Sequence, residues 1–453
     1  MYHRKVARFL RMNKSVGSVK KPDIFSHIIP IYYLSKFTGL APLSLAYTHD
    51  EQGRVEVTLK TSVFGILHTV LTIMGIIGAQ CCVLFFSDKL PFQGERKKKV
   101  VKLEYLINGI SGVTCLVMSL IRIRKQMDEV LCKIYVVDET LNTKFDILRI
   151  NEKHLRVQLI SLISLVFIVY TNDGLVSPFD FSVWIVYVCT SIKIVTIMQF
   201  VNLVSLLRQK FKILNSYLAP AEKTTQRRNG NNLWEMLLQT PRFRNEDNWK
   251  DDALQIEAFC QVINRRHHSN ITMHDSTNIS IQNSWLHKEK LRCRALRIIW
   301  DVLCDVSSSV NSMYGLQILL CIASAFIEIT MNLSYSIIKI PLNAVTNVLF
   351  YHHVLCPIIW ALMQFLLLFW ITATCSAACG EANRSVTLLQ KLLLLPELHP
   401  ATAAEMQLFL HQVKDRKPNF TAWDVFTINY GLLGSVVGAI TTYLVILVQF
   451  LAS

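Results

Sequence analysis

Seven stretches of this 453-residue chain are long and apolar enough to cross a ~30 Å hydrocarbon layer as helices, which takes about 20 residues each. They run Ser62 to Phe86, Leu103 to Ile121, Val157 to Leu175, Phe181 to Leu206, Ser312 to Ile338, Asn347 to Ala373 and Val425 to Leu451. Inside lipid, a backbone must satisfy its own hydrogen bonds, so runs of this length form helices. Composition agrees: 52% of residues are hydrophobic and 17% charged, where a soluble chain carries about a quarter charged. The fold class expected is an all-α polytopic membrane protein. The basic N-terminal segment, Met1 to Lys21, has no apolar core ahead of small residues and does not read as a cleavable signal peptide.

Lys and Arg in the connections set the expected orientation. The N-terminal segment holds ten, the second connection eight, the fourth sixteen and the sixth five. That places 39 of the 47 on one side. The other side holds seven, four of them in Arg96-Lys97-Lys98-Lys99, and the last lies within the fourth span at Lys193. The N-terminus is therefore expected in the cytoplasm and the C-terminus outside. Asn270-Ile-Thr and Asn278-Ile-Ser fall in the cytoplasmic fourth connection and are expected to be unglycosylated. The net charge of +15 reads as basic flanks facing anionic lipid, not as a nucleic-acid footprint.

Residues 1–61 form a cytoplasmic segment in which Ile28 to Leu45, interrupted by Pro30, Lys36 and Pro42, reads as a membrane-surface helix. Residues 62–206 carry the first four spans and 207–311 a long cytoplasmic connection. The second part of that connection, from Ser284, has Trp285, Leu291, Ala295, Ile298 and Leu303 at helical spacing and is expected to run into the fifth span as one helix. Residues 312–373 hold spans five and six. Residues 374–424 hold two short helices, Glu381 to Leu394 and Ala401 to Val413, and 425–453 the last span. The connecting helices together suggest a helical cytoplasmic layer.

The twelve cysteines show no CxxC spacing and read as reduced packing residues. His267-His268 and His352-His353 are adjacent pairs that share no helix face, so no metal is expected. No cofactor loop or nucleophile–base set points to an enzyme. Ionisable residues within spans are costly and functional by default. Two stand out, Lys193 and Glu328, both about 15–18 Å from the outer end at ~1.5 Å per residue. They can pair with each other, or Glu328 can line a wet cavity. At comparable depth stand Asn332 and Tyr335 on the fifth span, Trp360 and Gln364 one turn apart on the sixth, and Tyr170, Asp173, Trp184 and Tyr187 on the third and fourth.

The last span carries Gly431, Ser435, Gly438, Thr442 and Gln449 along one small-to-polar stripe. Such a stripe either packs closely on another helix or faces water. DRY and NPxxY motifs are missing, and the inverted orientation differs from that of the usual G-protein-coupled receptor, the competing class of seven-span chemoreceptor. A transporter reading lacks internal repeats and broken helices.

The ending Thr442-Tyr443…Gln449-Phe450 resembles the TYhhhhhQF signature of insect gustatory receptors, and the last two spans are most similar to the fructose-type branch. The resemblance implies a ligand-gated cation channel of four identical subunits in the plasma membrane. It implies a central pore lined by the seventh helix and a tastant pocket in the outer half of each bundle. Ser435, Gly438 and Thr442 then line the pore, while Gln449 and Phe450 form its gate as an amide ring and an apolar constriction. No acidic ring lines that span, so poor selectivity among cations is expected. In the pocket, Glu328, Asn332, Tyr335, Trp360, Gln364, Asp173, Trp184 and Tyr187 would hold a sugar, with polar groups on its hydroxyls and aromatic faces on its C–H side.

Overall fold

The computed structural model describes residues 24–49, 55–86, 95–141, 164, 166, 167, 169–171, 181–218, 279–339, 354–395 and 398–452. Its elements are α1 (Ile24–Phe37), β1 (Leu43–His49), β2 (Val55–Thr61), α2 (Val63–Phe86), α3 (Glu95–Met118) and α4 (Arg124–Thr140), then α5 (Phe181–Leu218) and α6 (Ile279–Lys339). The chain continues as α7 (Cys356–Leu393), α8 (Pro400–Asp415), β3 (Thr421–Ala422), β4 (Phe426–Thr427) and α9 (Tyr430–Ala452). Among the described residues, six helices are long and apolar enough to cross a membrane. The expected third span lies mostly outside the described residues; those of 164–171 that are described are helical. Residues 219–278 of the fourth connection, with Asn270-Ile-Thr and Asn278 of the second sequon, and His352-His353 also lie outside them.

Helix α6 runs 61 residues without a break, about 90 Å at 1.5 Å per residue. This is the long helix expected from Ser284, begun a little earlier. It fills the centre with α5 and α7. At one end of the bundle its lower half packs on α5 and α8 around Trp300, which lies edge-on to Phe211 at 5.0 Å and to Phe409 at 6.4 Å. Asn215 on α5 donates to the Glu381 carbonyl on α7 at 2.7 Å in the same layer. The short helix expected at Ala401 to Val413 is α8, opened by Pro400 and capped by the His399 side chain. Arg416 at its far end bonds both Asp301 and Asp305 of α6. Burial works against its charge, but the two aspartates hold the guanidinium above its ordinary range.

The eleven described cysteines are free thiols. Burial pushes the Cys132 thiol of α4 up, with Asp128 and Glu129 adding to it, which keeps it protonated and inert.

Two departures from the expected architecture come from contacts distant in sequence. First, α1 stops at Phe37, and the chain turns at Gly39, whose φ of +80° suits only a residue without Cβ. A hairpin of β1 and β2 then replaces the end of the expected surface helix. The turn is tied down from below: Thr69 donates to the Gly39 carbonyl at 2.6 Å and Ser119 to that of Leu40 at 2.5 Å. Ser119 itself opens a π-helical turn, Ser119–Ile123, that joins α3 to α4.

Second, the last span begins at Tyr430 rather than Val425. Residues 421–427 form a small hairpin in which Trp423 and Asp424 take positive φ (49° and 58°). A tryptophan in that region is strained, and the strain is held by neighbours. The Asn311 amide donates to the Asn419 carbonyl at 2.6 Å, and its oxygen accepts from the Thr421 nitrogen at 3.3 Å. Thr421 also bonds the Asp424 carboxylate at 2.8 Å. The hairpin backbone rests on Gly315, where an added methyl would stand 3.0 Å from the Trp423 nitrogen and 3.2 Å from its Cα. Gly315→Val is therefore expected to push the hairpin off α6 and cost about 1–3 kcal/mol. A melting temperature in detergent equal to the parent's would show that the joint tolerates the added bulk.

Candidate functional site

Polar groups from four helices meet at a point deep between α3, α5, α6 and α7, two of them from α6. Lys193 of α5 donates to the Glu328 carboxylate at 2.5 Å, to Ser324 at 2.8 Å and to the Asn108 side-chain oxygen. Ser324 donates to the same Glu328 oxygen at 2.7 Å, and Gln364 of α7 donates to the other. All three ammonium protons and both carboxylate oxygens are thus used. The two charged residues are 4% and 2% exposed. An ion pair so deeply buried survives because every ammonium proton and both carboxylate oxygens have partners. Of the two arrangements open from sequence, Lys193 pairs with Glu328. Polar capacity nevertheless remains around the network. The Asn108 amide nitrogen and the Thr190 hydroxyl are buried without a protein partner.

One turn outward on α7 lies an aromatic layer. Tyr187 of α5 stacks on Trp360 with centroids 6.0 Å apart and planes within 12°. Tyr170, within the expected third span, stacks on Tyr187 at 4.3 Å and on Trp360 at 5.7 Å. The Tyr170 hydroxyl lies 3.1 Å from the Tyr187 carbonyl, to which it donates, and 3.2 Å from the Ser191 hydroxyl. Because Trp360 and Gln364 share a helix face, the ring layer sits directly over the carboxylate layer.

The remaining residues singled out from sequence fall less centrally. Asn332 donates its amide to the Glu328 backbone carbonyl one turn back at 2.8 Å, and Tyr335 is partly buried two turns outward. Trp184 is 59% exposed and meets Tyr187 edge-on at 6.0 Å, as a lipid-facing ring near the surface would. Asp173 lies outside the described residues. Asn108 and Ser324 were not singled out; Ser324 precedes Glu328 by one turn, a signal that was legible, whereas nothing in the sequence marks Asn108.

Helix α9 stands at the edge of the bundle. It packs inward through Leu433, Val436, Ile440 and Leu444, of which only Val436 and Ile440 are fully buried. At 100° per residue, the centre of that stripe lies roughly 180° from the centre of Gly431, Ser435, Gly438, Thr442 and Gln449. All five polar-stripe residues are exposed on the single chain. Ser435 and Thr442 donate to the Gly431 and Gly438 carbonyls at 3.1 and 2.9 Å, so their hydroxyls are satisfied within the helix. Phe450 belongs to the same helix, with its side chain outside the described residues.

The fold is that of the insect olfactory receptor OR5 from Machilis hrabei. That structure is 13% identical in sequence, has a TM-score of 0.54, and matches over 93% of this chain and 97% of its own. The same receptor solved in complex with eugenol matches at 12% identity, a TM-score of 0.54 and the same coverage. None of the curated proteins matches the chain. The family model described as "7tm Chemosensory receptor" matches residues 28–451. With helices of membrane-crossing length around a buried polar core and a sequence match over nearly its whole length, the chain belongs to the 7tm chemosensory receptor family.

Proposed function

We propose that the chain is a gustatory receptor of the plasma membrane that acts as a tastant-gated, poorly selective cation channel. It responds to sugars, fructose foremost, and assembles as a homotetramer around a pore lined by α9. The N-terminus is cytoplasmic, in keeping with the basic connections. The observation that carries the reading is the geometry of α9. One face packs on its own bundle, and the opposite face carries every small and polar residue of the stripe. A helix that only anchored the chain would have no reason to turn its polar stripe away from its own protein. A closed ring of four such helices gives that stripe a common aqueous axis.

The ligand site is the pair of layers between α5, α6 and α7. Glu328 and Gln364 offer acceptors and donors for hydroxyl groups, and Trp360 and Tyr187 offer flat faces to the C–H side of a sugar ring. The OR5 complex with eugenol supports a small-molecule ligand for this fold. Whole-cell recording from cells expressing this chain alone, with a panel of monosaccharides, tests the function directly. Surface-exposed protein that passes no agonist-evoked current would sink the channel reading. Within the site, Trp360→Ala is expected to abolish the sugar response at normal surface levels, because it removes the largest ring of the aromatic layer. A parental response in that variant would place the ligand elsewhere.

A further inference from the structure

The aromatic layer over Glu328 is already covered. Tyr170 stacks on Tyr187 at 4.3 Å and on Trp360 at 5.7 Å, so it lies against the ring surfaces that an agonist's C–H face would need. Its hydroxyl is held at the Tyr187 carbonyl and the Ser191 side chain, at 3.1 and 3.2 Å. The groups beneath are correspondingly closed to solvent: Tyr187 and Trp360 are 7% and 8% exposed, Gln364 3%. Tyr170 differs in origin from the rest of the layer. It comes from the helical residues 169–171, whereas its partners sit on α5 and α7.

We propose that Tyr170 is a built-in occupant of the sugar site, an intramolecular stand-in for the ligand that must swing out before agonist can enter. The inference rests on the ligand-site reading above. A sugar brings the same two features, a flat apolar face and hydroxyls, and therefore competes with Tyr170 for the same surface. The apparent affinity is the intrinsic one scaled by the fraction of receptors in which Tyr170 is displaced. Weakening the latch raises that fraction without removing any ligand contact. The hydroxyl is the part to remove. Tyr170→Phe keeps the stacking ring and deletes the bonds to Tyr187 and Ser191, and Ser191→Ala deletes one of those bonds from the other side.

Fructose dose–response currents on the full-length channel test this, with surface protein measured alongside. Tyr170→Phe is expected to lower the half-activating concentration by about three- to tenfold with the maximal current unchanged, the range set by losing one or two net hydrogen bonds. Ser191→Ala is expected to shift it in the same direction by less. A Tyr170→Phe curve that is unmoved or displaced to higher concentration overturns the plug, as does a shift that Ser191→Ala fails to share. Failure of the underlying site is read separately: a parent channel silent to fructose, or a Trp360→Ala channel with the parent's response, removes the sugar site and the plug together.

Discussion

Lys193→Met is expected to remove most of the receptor from the cell surface. The substitution keeps the length of the side chain but leaves the Glu328 carboxylate buried without its cation. Breaking one side of a buried pair costs about 3–5 kcal/mol, because the surviving charge stays desolvated. The penalty is sharper here than in a soluble core, since the surrounding medium is lipid and four helices converge on the pair. The double variant Lys193→Met with Glu328→Gln removes both charges and leaves an amide that can still meet Gln364 and Ser324. It is expected to restore most surface protein. If Glu328 also receives ligand hydroxyls, that rescued receptor will reach the surface yet respond weakly to sugar. Surface biotinylation and current recording on the two variants separate the roles. Parental surface levels in the single variant would show that the pair contributes little to folding.

The second large effect is expected at the end of α9. Gln449 is exposed on the single chain, on the face opposite the one that packs. In a fourfold arrangement its amide has neighbours of its own kind, each able to donate and accept across the axis. Gln449→Ala removes that ring and is expected to raise the resting leak several-fold. Phe450→Ala, which would remove an apolar constriction, is expected to do the same. Resting currents and agonist responses equal to the parent's in both Gln449→Ala and Phe450→Ala would rule out a gate at these residues.

Which features were legible in the sequence follows from the range of the forces behind them. Membrane-length runs such as Ser62 to Phe86 announce themselves by composition, and α2 occupies nearly those residues. The continuity of α6 was legible from helical spacing that begins in the polar connection and never meets a proline. The hairpin at 421–427 was not, because nothing in Thr421-Ala422-Trp423-Asp424 has the glycine that such a turn normally shows. Its shape is imposed by Asn311 and Gly315, more than a hundred positions earlier. Hydropathy alone therefore began the last span at Val425, five residues too soon. The β1–β2 hairpin was missed for a similar reason: Gly39 turns the chain, but Thr69 and Ser119 fix the turn. Within the site, Lys193 and Glu328 were conspicuous as charges inside apolar runs. Their partnership depends on the relative rotation of α5 and α6, which periodicity does not specify.

The sparse packing of α9 bears on how this receptor holds together at different expression levels. Among its described residues α9 buries only Val436 and Ile440 in its own subunit, which leaves little to fix its rotation when the chain is alone. Alone in lipid, the Gln449 amide would meet hydrocarbon or headgroups, and the helix could turn or slide at small cost. In the proposed tetramer, assembly supplies the missing surface, so the order of this segment follows mass action in the plane of the membrane. Dilution in the bilayer should loosen α9 first, well before the α5–α6–α7 core. The conducting unit would then dissolve while each chain stayed folded around its ion pair.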